Sequence, residues 1–359
     1  MIKKILILII LLTNTLISFE IKKINEVKIS QDKKLLQAPF SFCVTENKTF
    51  IIVDMKAADI KIYDNNGKLI KILGKKGPGP GEFGSPRISD YRKPYLTVMD
   101  FRKKKIFIYQ KMEKNAFELI KSIYSLELGS DIRIKNNEIL ISGSKNKNGH
   151  YYSLYLRDIL KGKIKYLLSE ERKFGFNSFE KYKKYLRNFK IYAIGIFGYC
   201  DYLLNNVYYV WEGNLKIFKI NSKSGEITTF GKKTKNYIQP IATKAMVNGY
   251  KRREIKPLIK GMQQMSYIVD LFANKDFVGL LYGNYYKKLS AWKIFLQLYT
   301  PEGKFLKELI IPEILVSSTF KPISTFYFKK NENLLYYMYH KLDKELNDIY
   351  TIATYKIIK

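Results

Sequence analysis

Apolar residues in this chain fall in short runs that alternate with polar positions and are cut by Asn, Gly, Lys or Pro turns. That period belongs to β-strands, not helices. A three-part phrase recurs six times. Its first part is a strand closed by an Asn or Lys turn: Phe40–Glu46, Arg87–Lys93, Leu128–Lys135, Gly198–Leu204, Gln264–Ala273 and Pro322–Lys329. Its second is strongly apolar: Phe50–Asp54, Tyr95–Asp100, Glu138–Ser142, Val207–Trp211, Phe277–Tyr282 and Leu334–Tyr339. Its third is Asp59–Tyr63, Lys105–Tyr109, Tyr151–Leu156, Asn214–Phe218, Trp292–Tyr299 and Asp348–Ala353. Five units continue into a fourth strand: Leu69–Leu73, Phe117–Ile123, Lys163–Leu168, Glu226–Phe230 and Lys304–Ile310. Four of the turns before it carry Gly, at Gly67, Gly162, Gly225 and Gly303, where a hairpin needs positive φ.

Four antiparallel strands repeated at this spacing form the blade of a β-propeller. The pattern predicts an all-β, six-bladed ring. The sixth unit ends after three strands, and Ile24–Ile29 near the N-terminus is a spare strand that should complete it and close the ring. Equivalent positions Tyr63, Tyr109, Leu156, Phe218, Tyr299 and Ala353 are spaced 46, 47, 62, 81 and 54 apart. The two long intervals hold insertions, about 169–197 and 231–262, both fourth-to-first crossovers flanking blade four. They should rise from one face. The first is expected to hold a helix over Asn177–Lys190, and the second a weaker helix over Thr243–Lys256 ended by Pro257.

The crossover leaving blade one is distinctive. Phe50-Ile51-Ile52-Val53-Asp54, the run Ile60–Leu69, and Gly77-Pro78-Gly79-Pro80-Gly81-Glu82-Phe83 with Pro86 resemble the NHL-type six-bladed β-propellers, a repeat family of many exported bacterial proteins. The resemblance covers Pro39 to Asp90; the other units match in pattern only. It implies the fold, and since related propellers include binding modules, lyases and lactonases, it implies no single activity. The glycines also suggest a phosphate loop, but Pro78 and Pro80 remove donors and no Gly-Lys-Ser/Thr follows. Gly77, Gly79, Gly81, Phe83 and Pro86 are therefore expected to be structural, with Phe83 plugging the seam between blades.

Composition sharpens the compartment more than the function. Lys3-Lys4 precede an apolar run from Ile5 to Leu12, too short to span a bilayer. Residues 1–18 are expected to be a signal peptide and 19–359 one exported, monomeric domain, periplasmic or extracellular, with no stable membrane span after cleavage. The formal charge is +32, but only 9 of the 64 basic residues are Arg, and the Lys residues are dispersed. That pattern fits a solvated surface better than a nucleic-acid reader, so no nucleic-acid partner is expected. The two cysteines, Cys43 and Cys200, fall on channel strands of opposite blades and should stay unbonded.

Candidate chemistry is sparse. Two His, no Cys-x-x-Cys and no Gly-x-Ser-x-Gly give no metal or nucleophile signature. No catalytic, cofactor-binding or metal-ligating residue is assigned, and no cofactor is expected. Asp54, Asp100, Asp201 and Asp270 recur in the inner strands; they suit strand-end hydrogen bonding, with calcium the alternative. Basic and aromatic residues gather on the insertion face: Arg102, the Lys145–Tyr152 stretch with His150, Tyr250, Arg252 and Arg253, Tyr285 and Tyr286, and His340. They point to a binding or scaffold protein whose insertion face takes an anionic glycan, peptide or envelope protein. The alternative is a hydrolase or lyase with a metal in the channel.

Overall fold

A computed structural model describes residues 18–32, 34–113, 116–125, 129–175, 198–312, 326–342 and 348–359. It contains six four-stranded antiparallel sheets. Blade one is β2(Pro39–Val44), β3(Phe50–Asp54), β4(Asp59–Tyr63) and β5(Leu69–Leu73). Blade two is β6(Pro86–Arg92), β7(Tyr95–Asp100), β8(Lys105–Lys111) and β9(Phe117–Tyr124). Blade three is β10(Gly129–Lys135), β11(Glu138–Lys147), β12(His150–Asp158) and β13(Ile164–Ser169). Blade four is β14(Gly198–Leu203), β15(Asn206–Trp211), β16(Asn214–Asn221) and β17(Ile227–Phe230). Blade five is β18(Tyr267–Ala273), β19(Val278–Tyr286), β20(Ala291–Tyr299) and β21(Phe305–Ile310). Blade six is β22(Phe326–Lys329), β23(Leu334–Leu342) and β24(Asp348–Ile358), and its outer strand is β1(Glu20–Lys28).

β1 runs antiparallel to β24, from Glu20 opposite Ile358 to Lys28 opposite Thr351. The N-terminal strand thus closes the ring as the pattern predicts, and it begins four residues earlier than Ile24. Ile24 itself sits in a bulge between Lys23 and Asn25 and is half exposed. Closure ties the two ends of the chain into one sheet, with β1 covering the edge of β24.

The core lies between blades rather than in the channel. Side chains of adjacent sheets interlock in separate clusters at the blade-to-blade seams. Phe83 occupies the seam between blades one and two, fully buried, its ring edge-on to Phe107 at 5.1 Å. The Gly-Pro crossover is folded to put it there. Gly74 and Gly81 take positive φ, and a Cβ on Gly74 would strike the Phe83 ring. Gly79 N–H donates to Glu82 at 2.7 Å, and Lys103 Nζ donates to the Glu82 carbonyl at 2.7 Å. Pro86 opens β6, where an inner strand needs no amide from it. Cys43 and Cys200 are both buried and unbonded.

The insertions differ from expectation. The expected Asn177–Lys190 helix lies outside the described residues. The first insertion opens with a short helix, α1(Glu170–Phe174), N-capped by Ser169 and ended by left-handed Gly175. In the second, the single helix Thr243–Lys256 is instead two, α2(Lys244–Arg252) and α3(Ile255–Met262). The break falls at Arg253, which takes a left-handed φ of 59°. Pro257 does not end a helix; it lies in the first turn of α3, where a missing N–H costs no intrahelical bond. The Lys145–Tyr152 loop is also a strand pair. β11 and β12 extend past the blade to a tight turn at Asn148-Gly149, with Lys147 opposite His150.

Candidate functional site

The four recurrent aspartates divide into two roles. Asp54 and Asp100 end second strands and hold the blade crossovers. Asp54 accepts the N–H groups of Gln37, Ala38 and Ala57 and the buried ammonium of Lys61 at 2.8 Å. Asp100 accepts those of Gly84, Ser85 and Lys103. This is the structural role their position suggests.

Asp201 and Asp270 instead face the channel, together with Asp90 and Asp131 on the inner strands of blades two and three; Asp90 and Asp201 lie two residues before the last paired residue of their strands, Asp131 four. Each of three carboxylates staples its own strand to the next. Ile134 N–H donates to Asp90, Cys200 N–H to Asp131, and Ala273 N–H to Asp201. Cations then cross the channel. Arg92 of blade two donates to Asp201 of blade four at 2.8 Å, and Arg133 of blade three to Asp270 of blade five at 2.9 Å. Lys330, after the inner strand of blade six, reaches the same Oδ1 of Asp201 at 2.8 Å. Arg92 and Arg133 also hold Asp90 and Asp131 of their own strands. What remains open is a cavity of about 50 Å³, room for a water or two.

Charge in the lattice is uneven, with four carboxylates against three cations. Burial raises the pKa values of Asp131 and Asp270 above the carboxylate range, against the pull of Arg133. Asp201 goes the other way: burial raises it, but Lys330 and Arg92 more than reverse that. Burial pushes the Lys330 ammonium down to about 7, and the Arg92 charge adds to the fall. The sequence carried a sign of this lattice in Ser89-Asp90-Tyr91-Arg92 and Ser130-Asp131-Ile132-Arg133, one Ser-Asp-x-Arg phrase in two consecutive inner strands. Asp90, Arg92, Asp131, Arg133 and Lys330 were not among the candidate residues.

The insertion face is built differently. The α2–α3 hairpin sits on blade five through Met246, Met265, Tyr267 and Trp292, with Tyr285 packed against them and its ring 5.6 Å from Trp292. The chain leading into it is anchored by Glu308. That carboxylate accepts Thr234 Oγ1 at 2.5 Å, Asn236 Nδ2 at 2.7 Å, Tyr282 OH at 2.7 Å and Gln297 Nε2 at 2.9 Å. Arg252 and Arg253 are exposed at the break between the helices. A hollow of about 440 Å³ lies alongside, lined by Thr243, Lys256, Pro257, Lys260 and Gln264.

The other candidates are spread over several elements. Tyr250 lies in α2. Tyr286 ends β19 with Lys293 over its ring at 4.7 Å. Arg102 is exposed in the β7–β8 turn, its stem against Gly84. His150 is exposed at the start of β12, with Nδ1 3.1 Å from Glu171. His340 is exposed near the end of β23, its ring 5.7 Å from Tyr350. The two histidines belong to blades three and six and form no pair. Among the described residues, no three His, Cys, Asp or Glu side chains are grouped to hold a metal ion.

Six four-stranded blades closed by an N-terminal strand define a six-bladed β-propeller. No family model and no curated protein matches the chain. Solved structures do resemble it. A member of the DUF4221 family from Bacteroides vulgatus superposes with a TM-score of 0.65 at 12% identity, over 96% of this chain and 100% of that one. A "putative exported protein" from Bacteroides fragilis gives 0.59 at 14%, over 96% and 97%. Virginiamycin B lyase from Staphylococcus aureus gives 0.46 at 14%, over 95% and 100%. At these identities the likeness is one of fold alone. No helix among the described residues is long and apolar enough to cross a membrane.

Proposed function

We propose that this chain is an exported binding propeller, distantly of the NHL type, that takes an anionic envelope partner on the face carrying the insertions. The first 18 residues serve as its signal peptide, and the mature domain acts as a monomer without a cofactor. The observation that supports this is the α2–α3 hairpin: a rigidly seated element whose exposed break presents Arg252 and Arg253, beside a hollow edged by Lys256 and Lys260. Arg pairs on fixed backbone suit carboxylates and sulfates, which a planar guanidinium grips at two points. A neighbour of similar fold is described as a "putative exported protein", which is consistent with the compartment.

A hydrolase or lyase built on a channel metal, calcium included, gains no support from the channel carboxylates. Asp90, Asp131, Asp201 and Asp270 are each engaged by Arg or Lys, and such an ion would have to displace those cations.

Immobilised polyglutamate and heparin can stand in for acidic peptide and acidic glycan. Arg252→Glu with Arg253→Glu should lose most retention on one of them at physiological salt. Lys68→Glu with Lys71→Glu, on the exposed edge of blade one, should keep it. Equal losses from the two double variants would reduce the effect to overall charge and sink the site.

A further inference from the structure

We propose that the channel mouth opposite the insertions is a binding site for a small organic anion, with its carboxylate or phosphate group seated between Arg92 and Lys330. The inner strands β2, β6 and β22 end there. They leave an opening of about 340 Å³ walled by Val44, Tyr91, Tyr327 and Phe328. That volume falls within the usual range for small-ligand pockets, about 300–1,000 Å³.

The pocket is polarised. Arg92, Lys93, Lys329 and Lys330 line it against one acid, Glu46. Glu46 is already held by the Tyr91 hydroxyl at 2.9 Å, and Lys329 pairs with Glu332. At the floor, Arg92 Nη2 and Lys330 Nζ both donate to one oxygen of Asp201, so the two cations lie side by side. The ring of Tyr202 is faced by Arg92 at 4.5 Å, Lys330 at 4.7 Å and Lys135 at 5.2 Å. Arg92 Nε is spent on Asp90, and a second hydrogen of Lys330 on the Tyr202 carbonyl. Arg92 Nη1 and the third Lys330 hydrogen have no acceptor among the described residues, and both residues line the pocket. Two adjacent, incompletely paired cations at the base of a hollow are arranged for an oxyanion, which a guanidinium and an ammonium bind together. Burial first, and the Arg92 charge beside it second, hold the basicity of Lys330 down, and an anion seated here would offset both. The aromatic walls select an anion with an apolar body over a bare inorganic ion.

Isothermal titration calorimetry on the full chain at pH 6 and low salt, with phenyl phosphate, benzoate and inorganic phosphate as probes, tests this. Saturable one-to-one binding is expected, with the better aromatic probe at least about tenfold tighter than inorganic phosphate. The order of phenyl phosphate and benzoate separates a phosphate from a carboxylate headgroup. Lys330→Met should weaken binding by about tenfold or more, the share of one charge-assisted hydrogen bond. Lys330 also supports the channel, so Lys93→Gln, at an exposed rim position, serves as the second variant. It should weaken binding severalfold at unchanged melting temperature. No saturable binding to the wild type, affinity unchanged in both variants, or inorganic phosphate binding as tightly as both aromatic probes would each overturn the assignment.

Discussion

Asp201→Asn removes the charge on which two blades and the channel mouth converge. One oxygen of Asp201 takes Arg92 and Lys330, and the other takes Ala273 N–H. An amide keeps the shape but cannot balance either cation. Breaking one partner out of a buried ion pair costs about 3–5 kcal/mol. The lower end applies, because Arg92 keeps Asp90 and both cations retain some solvent contact, with side chains 25% and 18% exposed. At roughly 2.1 cal/mol/K of unfolding entropy per residue, a chain of this length loses about 4 °C of melting temperature for ~3 kcal/mol. The deficit should depend on pH. Asp201 has a lowered folded-state pKa, so its contribution is present above the ordinary carboxylate range and lost as pH falls through its folded value. Lys330 titrates in the folded protein at about 7, below its ordinary value, and without Asp201 it falls further. Above pH 7 it is neutral with or without Asp201, so the deficit is largest near pH 6 and smaller at about pH 9. Urea unfolding followed by circular dichroism at both pH values measures it. Lys330→Met added to the variant should recover stability, because it removes the orphaned cation. A variant as stable as wild type at pH 6, or a double variant weaker than the single, would refute the reasoning.

Glu308→Gln should loosen the insertion without unfolding the ring, since an amide cannot accept the four hydrogen bonds that Glu308 takes from Thr234, Asn236, Tyr282 and Gln297. Limited proteolysis should then cut within Lys244–Met262 several times faster than in wild type, and equal rates would remove Glu308 as the anchor. Phe83→Ala empties a fully buried seam and should cost about 3–5 kcal/mol in chemical unfolding; a loss below about 1 kcal/mol would mean that the crossover, not the ring, holds the two blades together.

The blade pattern was legible because each strand buries alternate residues against its neighbours, and that constraint writes itself into every unit. Closure by β1 was legible for the same reason: blade six was one strand short. What escaped was set by contacts between distant positions. Asp90 and Asp201 look like any strand aspartate until the ring places Arg92 beside both. Lys330 follows an inner strand by one residue and looks like a surface lysine until it reaches across the channel. The break at Arg253 falls four residues before Pro257, whose missing N–H and ring bar a continuous helix there; the breaker was legible, but not that the helix would restart at Ile255. Of the candidate residues, Tyr250, Arg252 and Arg253 belong to the hairpin or its break and Tyr285 packs where the hairpin is seated, while His150 and His340 stay on separate blades.

Ionic closure of the channel bears on where any ligand can act. Three cations cross between non-adjacent blades, so opening the channel means parting ion pairs that also fix the spacing of the ring. Partial solvent access lowers that cost for each pair, but they share partners and would have to part together. On the two proposals made above, ligands would therefore meet this protein at its two faces and not inside the channel. The insertion face presents charge on an added helical hairpin, suited to a large partner. The opposite mouth presents it at the base of a hollow too small for a folded domain. Asp201 lies behind the two cations of that hollow and is bonded, through Ala273 N–H, to the inner strand of the blade that carries the hairpin. Occupancy of the mouth would favour the charged form of Lys330 and share both cations with the ligand, and hence change the load on Asp201. A difference in hairpin proteolysis with and without phenyl phosphate would reveal such coupling, and its reciprocity requires that a partner bound to the hairpin shift the affinity of the mouth by the same factor.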